Sequence, residues 1–308
     1  MTMQHDLTLA MLSWRQPRTL KHSLESYQRQ GLLERAKEKL IFFNECTAED
    51  RRIAEKYGFE VLESKRNIGI AIPFQELIKA ASGRYFLFLE NDFMLVEDGE
   101  TCEQELKAAM AALEDGVACV RLRHQHHYGD PNYWLLKVWE GRKSAEEANL
   151  NATYLFNEPD RYYQEISRLE YLGRTFFVAD SGIANFTNNP CLYRSEFLRQ
   201  HFLEHTFSEF DNLETNIEPW WQQAGLRIAQ GRGLFKHHPL EVSGSGFAQH
   251  KRIKHPIKHW SHYLIRIGYK RRVINLFLLQ FLPMLIKANI NIGNKLMFNL
   301  SLGRYESE

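Results

Sequence analysis

The feature that most constrains this chain is its opening rhythm, in which short apolar runs alternate with stretches of helical period. Leu7 to Leu12 reads as a strand, and Leu20, Leu24 and Tyr27 then fall on one helix face. Leu40–Phe43 is a second strand, Ala48–Tyr57 a helix ended by Gly58, and Phe59–Leu62 a third strand. A helix from about Pro73 to Ser82 follows, with Gly83 as its stop, and Tyr85–Leu89 reads as a strand buried on both faces. Short strands separated by helices of this length need crossover connections, which predicts an α/β chain with a mainly parallel sheet.

Ligand crevices of such sheets lie at the carboxyl ends of the strands. The fourth strand delivers Glu90, Asn91 and Asp92 to that edge. Two carboxylates flanking one residue supply hard oxygen ligands for Mg2+ or Mn2+ against a diphosphate. The same triplet is also compatible with a solvated acidic turn, so its neighbours must decide.

Beyond the triplet, Glu103–Leu113 reads as a helix and Val117–Leu122 as a strand. From Arg123 to about Arg174 the periodicity weakens, and Tyr128, Tyr133, Trp134, Trp139, Tyr154, Tyr162 and Tyr163 accumulate. Rings in such an insertion either pack or stack on sugar faces. Thr175–Val178 resumes strand character, Ser195–Phe202 and Glu214–Ala224 read as helices, and Leu226–Ala229 is a last short strand. There is no internal repeat.

Four segments taken in order carry a resemblance: Ser13-Trp14-Arg15-Gln16-Pro17, Asn44-Glu45-Cys46-Thr47, Arg66-Asn67-Ile68-Gly69 and Leu89-Glu90-Asn91-Asp92. Their succession over roughly residues 7–95 resembles the nucleotide-sugar half of GT-A glycosyltransferases of the family 2 type. In those enzymes the first strand ends in a Thr-Tyr-Asn-Arg-Pro-like segment, the second in Asp-Asp/Asn-Gly-Ser, and the fourth in Asp-x-Asp. The departures are Arg15 for Asn, Asn44-Glu45-Cys46-Thr47 for the second segment, and Glu90 for the first metal-motif Asp.

The resemblance implies a donor site built from Ser13, Arg15, Glu45, Arg66, Asn67 and Glu90. Glu45 would meet the edge of a uracil-like base, and Asp92 would bind the divalent cation. Each of these residues also has an ordinary reading: Glu45 as an exposed loop carboxylate, Arg66 as a surface charge, Asn67 as a turn former with Gly69. In the second half, Glu214 counts back from Gly225 onto the family's catalytic base and Asn216 onto its second acid. Glu218 is the rival base, and a plain helix-start carboxylate is the alternative for Glu214. The segment Gly231-Arg232-Gly233-Leu234-Phe235-Lys236-His237-His238 is similar to a family stretch whose His completes the cation site, which implies His237 as a Mn2+ or Mg2+ ligand. His238 and Lys236 are open to phosphate contact, and Val242–Phe247 is a loop suited to close over a diphosphate.

Charge divides the chain. Residues 1–241 hold 28 basic and 36 acidic residues, while residues 242–308 hold 11 and 2. From Trp260, Leu264, Ile267, Ile274, Leu278, Phe281 and Leu285 recur near helical period among basic residues. This predicts a basic amphipathic helix that lies on an anionic membrane surface, packs on the body or forms a dimer. Its most apolar part, Val273–Ile286, falls short of the roughly 20 residues needed to span a bilayer. The acidic body disfavours nucleic acid as a partner. Four cysteines without metal spacing and no basic-then-apolar leader pattern predict a cytoplasmic protein, peripheral on the membrane if the tail binds it.

The expected organisation is a catalytic domain over residues 1–249, with a nucleotide-sugar half (1–98) and an acceptor half (99–249), then a helical tail over 250–308. The expected activity is inverting, metal-dependent transfer from a UDP-linked sugar to a saccharide or lipid-linked hydroxyl. A nucleotidyltransferase and a non-catalytic binding module stay open as alternatives.

Overall fold

The computed structural model describes residues 4–127, 129, 158–161 and 164–241. These fall in a unit formed by Met1–Ser243; the second unit, Gly244–Glu308, holds the basic tail and lies outside the described residues. The loop Val242–Phe247 and the aromatic residues singled out between positions 128 and 163 also lie outside them.

β1 (His5–Trp14) leads through α1 (Pro17–Arg29) and the short α2 (Leu32–Arg35) to β2 (Ala36–Asn44). α3 (Ala48–Lys56), β3 (Glu60–Ser64), α4 (Ala71–Ala80) and β4 (Tyr85–Glu90) complete the first half. Then follow β5 (Phe93–Leu95), α5 (Gly99–Glu114), β6 (Val117–Arg123), β7 (Ser167–Tyr171), β8 (Arg174–Asp180) and β9 (Cys191–Arg194). α6 (Ser195–Phe202), α7 (Leu213–Gln223) and β10 (Arg227–His237) end the described part.

The strands form one sheet in the order β3-β2-β1-β4-β9-β6-β10-β8-β7, with β5 set against β10. β1 runs parallel to β2 and β4, and β10 runs parallel to β6. Among the described strands, only β5, β8 and β9 oppose the common direction. The chain winds outward from β1 to β3 and returns through α4 to β4 on the other side of β1. That reversal creates the crevice between β1 and β4 at their carboxyl ends.

Alternation in the strands explains the layers. Leu7, Leu9 and Met11 of β1, with Leu87 and Leu89 of β4, face a core closed by Leu20, Leu24 and Tyr27 of α1, Ala54 of α3 and Leu106 of α5. Ala10 and Leu12, with Phe86 and Phe88, face the opposite core of Phe74 and Leu77 of α4, Phe202 of α6 and Trp221 of α7. The buried stretches Leu9–Leu12 of β1 and Phe86–Leu89 of β4 therefore read as unbroken apolar runs.

Two expectations need correction. The last strand extends from Arg227 to His237 rather than ending at Ala229, so the whole Gly231–His237 stretch is strand. Gly233 makes this possible: its φ is +78°, and a Cβ there would collide with the Arg123 carbonyl. The register shifts at this point, and the strand leaves β8 to pair with β5. Secondly, β5, β7 and β9 were not visible as strands. β9 has four residues and β5 three, too few to show a period of two.

Candidate active site

Helix α1 builds one wall of the site. Ser23, Ser26 and Tyr27, at helical spacing, all grip the segment that follows β4. The Ser23 hydroxyl donates to the Asn91 carbonyl (2.7 Å), the Leu95 amide donates to Ser26 Oγ (2.9 Å), and the Tyr27 hydroxyl donates to the Phe93 carbonyl. Burial, and secondarily the Asp92 charge, hold the Tyr27 hydroxyl well above its ordinary pKa, so it stays a donor. The Asn91 amide donates to the Leu12 carbonyl of β1 (3.1 Å). Asn91 is buried and its backbone serves the scaffold.

This grip presents Asp92 to the end of β10. Asp92 Oδ2 lies 3.0 Å from His237 Nε2, the His238 amide donates to the Asp92 carbonyl (2.7 Å), and Phe93 faces His237 across the β5–β10 ladder. Asp92 Oδ1 is buried and has no partner among the described residues. Residues 145 positions apart in sequence thus form one polar pair.

Glu90 and Glu214 join them. Burial, then the charges of Asp92 and Glu214, push the Glu90 carboxyl well above the carboxylate range, and Arg123 opposes the shift. Glu214 sits in the first turn of α7, whose Asn212 cap accepts from the Thr215 amide (2.9 Å). Burial raises the Glu214 pKa as well. The Asn188 amide, which donates to its Oε1 at 2.9 Å, and the Thr187 hydroxyl work against that rise. The rival Glu218 is committed to the fold: one oxygen accepts the Phe186 amide and the other the Gln222 side chain, both at 2.8 Å. Asn216 is exposed.

A cleft of about 340 Å³ opens beside the ends of β1 and β2, lined by Arg15, Glu45, Cys46, Thr47, Glu63, Ser64 and Lys65. Two departures from the family pattern meet here. Glu45 Oε2 accepts from Arg15 Nε (2.7 Å) and from Trp14 Nε1 (2.8 Å), so each unusual residue is the partner of the other. Both adopt left-handed backbone, with φ of 48° at Arg15 and 59° at Glu45, a conformation that costs energy for non-glycine residues and tends to occur at functional sites.

The remaining donor candidates are placed differently. Asn67 Oδ1 accepts the Gly69 amide (2.9 Å), a turn bond, and exposed Arg66 pairs with Glu209. The loop is fastened to β2 by Asn44, which accepts from the Ile68 amide and donates to the Gly69 carbonyl. Gly69 lies so close to Phe210 that a Cβ would stand 3.0 Å from its Cα. Ser13 is buried, and its hydroxyl has no partner among the described residues. Thus Arg15 and Glu45 share one cleft, while Glu90, Asp92, Glu214 and His237 form the polar centre. Lys236 occupies a ladder position opposite Met94.

Several contributors went unread in the sequence. Arg121 and Arg123 occupy the same face of β6. Arg121 bonds to the Asn185 carbonyl, and Arg123 donates to Asn189 Oδ1 (2.8 Å) and lies over the Phe93 ring. Both are buried, and they oppose the carboxyl shifts of Glu214 and Glu90 respectively. Charged residues within a predicted core strand were the available signal. Next to them, buried His124 accepts the His126 and His127 amides on Nδ1 (2.9 Å each), so its proton is on Nε2, 2.6 Å from Glu97 Oε1. Arg232 also donates to that Glu97 oxygen (3.0 Å). Burial lowers the His124 pKa, which keeps it neutral.

A comparison with curated proteins gives no match. Among solved structures, the mannosyltransferase PcManGT from Pyrobaculum calidifontis, in complex with GDP-Man and Mn2+, is 10% identical with a TM-score of 0.49, covering 85% of this chain and 65% of that one. TarS residues 1–349 from S. aureus, in complex with UDP-GlcNAc, is 15% identical with a TM-score of 0.45, covering 77% and 60%. The chain therefore spans less than two thirds of either structure. The family model described as glycosyl transferase family 2 matches residues 9–180, more than half of the chain. With the mixed, mainly parallel sheet and its carboxyl-edge crevice in place, the chain belongs to glycosyl transferase family 2 and has the GT-A fold.

Proposed function

We propose that the protein transfers a sugar from a nucleoside diphosphate donor, UDP-linked, to a hydroxyl of a saccharide or lipid-linked acceptor, with inversion. The observation that carries this reading is the convergence of Asp92 and His237 at 3.0 Å beside the carboxyls of Glu90 and Glu214.

The donor set fits a divalent cation. Among the described residues no three His, Cys, Asp or Glu side chains gather as a closed metal site. The Asp92–His237 pair offers two ligands, and Asp92 Oδ1 has no hydrogen-bond partner among the described residues. Such a pair suits an ion that takes its other ligands from diphosphate and water, and the imidazole favours Mn2+ over Mg2+. When bound, the cation supplies Lewis-acid stabilisation of the charge on the leaving diphosphate.

The chain's own groups do the rest. Arg15 and Glu45 shape the nucleoside end of the donor cleft, and Glu45 also fixes the Trp14 ring. Glu214, held by the Asn188 amide, takes the proton of the acceptor hydroxyl as that oxygen attacks the anomeric carbon. Its raised pKa makes it a stronger base than a free carboxylate. Arg121 and Arg123 keep so many buried carboxyls tolerable.

The test is nucleotide release from a panel of UDP- and GDP-sugars, with and without Mn2+. The reading expects Mn2+-dependent UDP release that Asp92→Ala abolishes. Full activity in that variant refutes the cation assignment.

A further inference from the structure

Helix α1 is poorly capped by its own sequence. Its N-cap residue Gln16 makes no side-chain cap bond, Pro17 occupies the first turn, and that turn has no acidic residue. The exposed end of the helix dipole and its free amides need an acceptor from elsewhere. Glu241 provides it: Glu241 Oε2 accepts from the Arg18 amide (3.0 Å) and the Thr19 amide (3.1 Å). In return, buried Thr19 Oγ1 accepts from the Leu240 amide (3.1 Å) and the Glu241 amide (3.2 Å). This is a reciprocal capping arrangement closed between residues 222 positions apart.

Its location gives it a consequence for the site. Glu241 stands four residues after His237, and between them the His238 amide is bonded to the Asp92 carbonyl. His22 of α1 also lies against His238, with ring centroids 5.6 Å apart. Helix α1 therefore holds both halves of the polar pair: the Asp92 side through Ser23, Ser26 and Tyr27, and the His237 side through Thr19 and Glu241.

We infer that Thr19 and Glu241 are positioning residues that lock the end of β10 to α1 and so set His237 against Asp92 for cation binding; the cation part rests on the function proposed above. Neither residue touches the reacting atoms. The competing view is a cap that stabilises α1 and nothing more.

Hydrogen exchange on the full chain separates the two. In Thr19→Val and Glu241→Ala, exchange of the His238 amide should rise about tenfold or more, because its segment loses the far anchor. Calorimetry with Mn2+ and UDP should show about a fivefold or greater loss of affinity, on the scale of one lost charge-assisted hydrogen bond. Thr19→Ser and Glu241→Gln, which keep an oxygen acceptor, should restore both. Should a variant fold poorly, Glu241→Gln against Glu241→Asp supplies the graded comparison. The inference is overturned if faster exchange stops at Leu240 and Mn2+–UDP affinity stays within about twofold in folded variants. A wild-type protein with no Mn2+-dependent UDP binding would overturn the cation reading instead, while the exchange result would still decide whether the lock positions His237.

Discussion

Replacing Glu214 by Gln tests the proposed base with little disturbance to the fold. The amide oxygen can still accept from the Asn188 amide, now at 2.9 Å from Oε1. What is lost is a proton acceptor for the attacking hydroxyl. A positioned general base contributes about 10² to 10⁴ in rate, or roughly 2.7 to 5.4 kcal/mol, so kcat/KM should fall by that factor while donor binding stays intact. The pH profile adds a second criterion. Because burial raises the Glu214 pKa above the 4.5 of a free glutamate, wild-type activity should climb as pH passes through the raised value, and the variant should lose that limb.

Stability should move the other way. Between the unfolded and folded pKa values the folded state binds more protons, so the wild type loses stability as pH rises through that window and carries the full cost above it. Glu214→Gln has no such cost. Its melting temperature should match wild type below pH 4.5 and meet or exceed it at pH 8. An activity loss under about tenfold with an unchanged acid limb, measured by UDP release with any accepted donor, would refute the assignment of Glu214 as base.

One further outcome follows from the structure and one from the charge of the sequence. Glu97→Gln weakens the buried acceptor shared by His124 and Arg232, and since Arg232 is half exposed the expected cost is about 1 to 3 kcal/mol by denaturant unfolding; no change would mean the cluster is not stabilising. Flotation of the full chain with anionic vesicles tests the basic segment after residue 242: binding at 0.1 M salt should be released near 1 M, where screening shortens to about 3 Å, and salt-insensitive or absent flotation refutes membrane attachment by charge.

Much of the first half was legible because its signals are local. Runs such as Tyr85–Leu89 declare a strand buried on both faces, Thr47 and Asp50 form a capping box that starts α3 where the pattern predicts, and Gly58 ends it. The order of strand ends, with Glu90 to Asp92 on the fourth, was enough to select the fold family, since apolar periodicity and turn chemistry are written in consecutive residues. The antiparallel β9, inserted between β4 and β6, was not legible: four residues carry no period, and its place is fixed by partners at Tyr85–Phe88 and Cys119–Arg121.

What only the tertiary structure decided is how charges far apart in the chain meet. The sequence offered Arg15 and Glu45 as separate oddities, and folding makes them one ion pair. It offered Asn67 and Glu218 as possible contacts of donor or acceptor, and folding spends Asn67 on a turn and both oxygens of Glu218 on neighbouring amides and side chains. It gave no hint that Glu241 caps α1 or that Arg121 and Arg123 face buried carboxyls. The reason is physical: strands and helices follow from the few residues on either side, whereas a buried charge is settled by whichever opposite charge or amide the finished packing brings within about 3 Å.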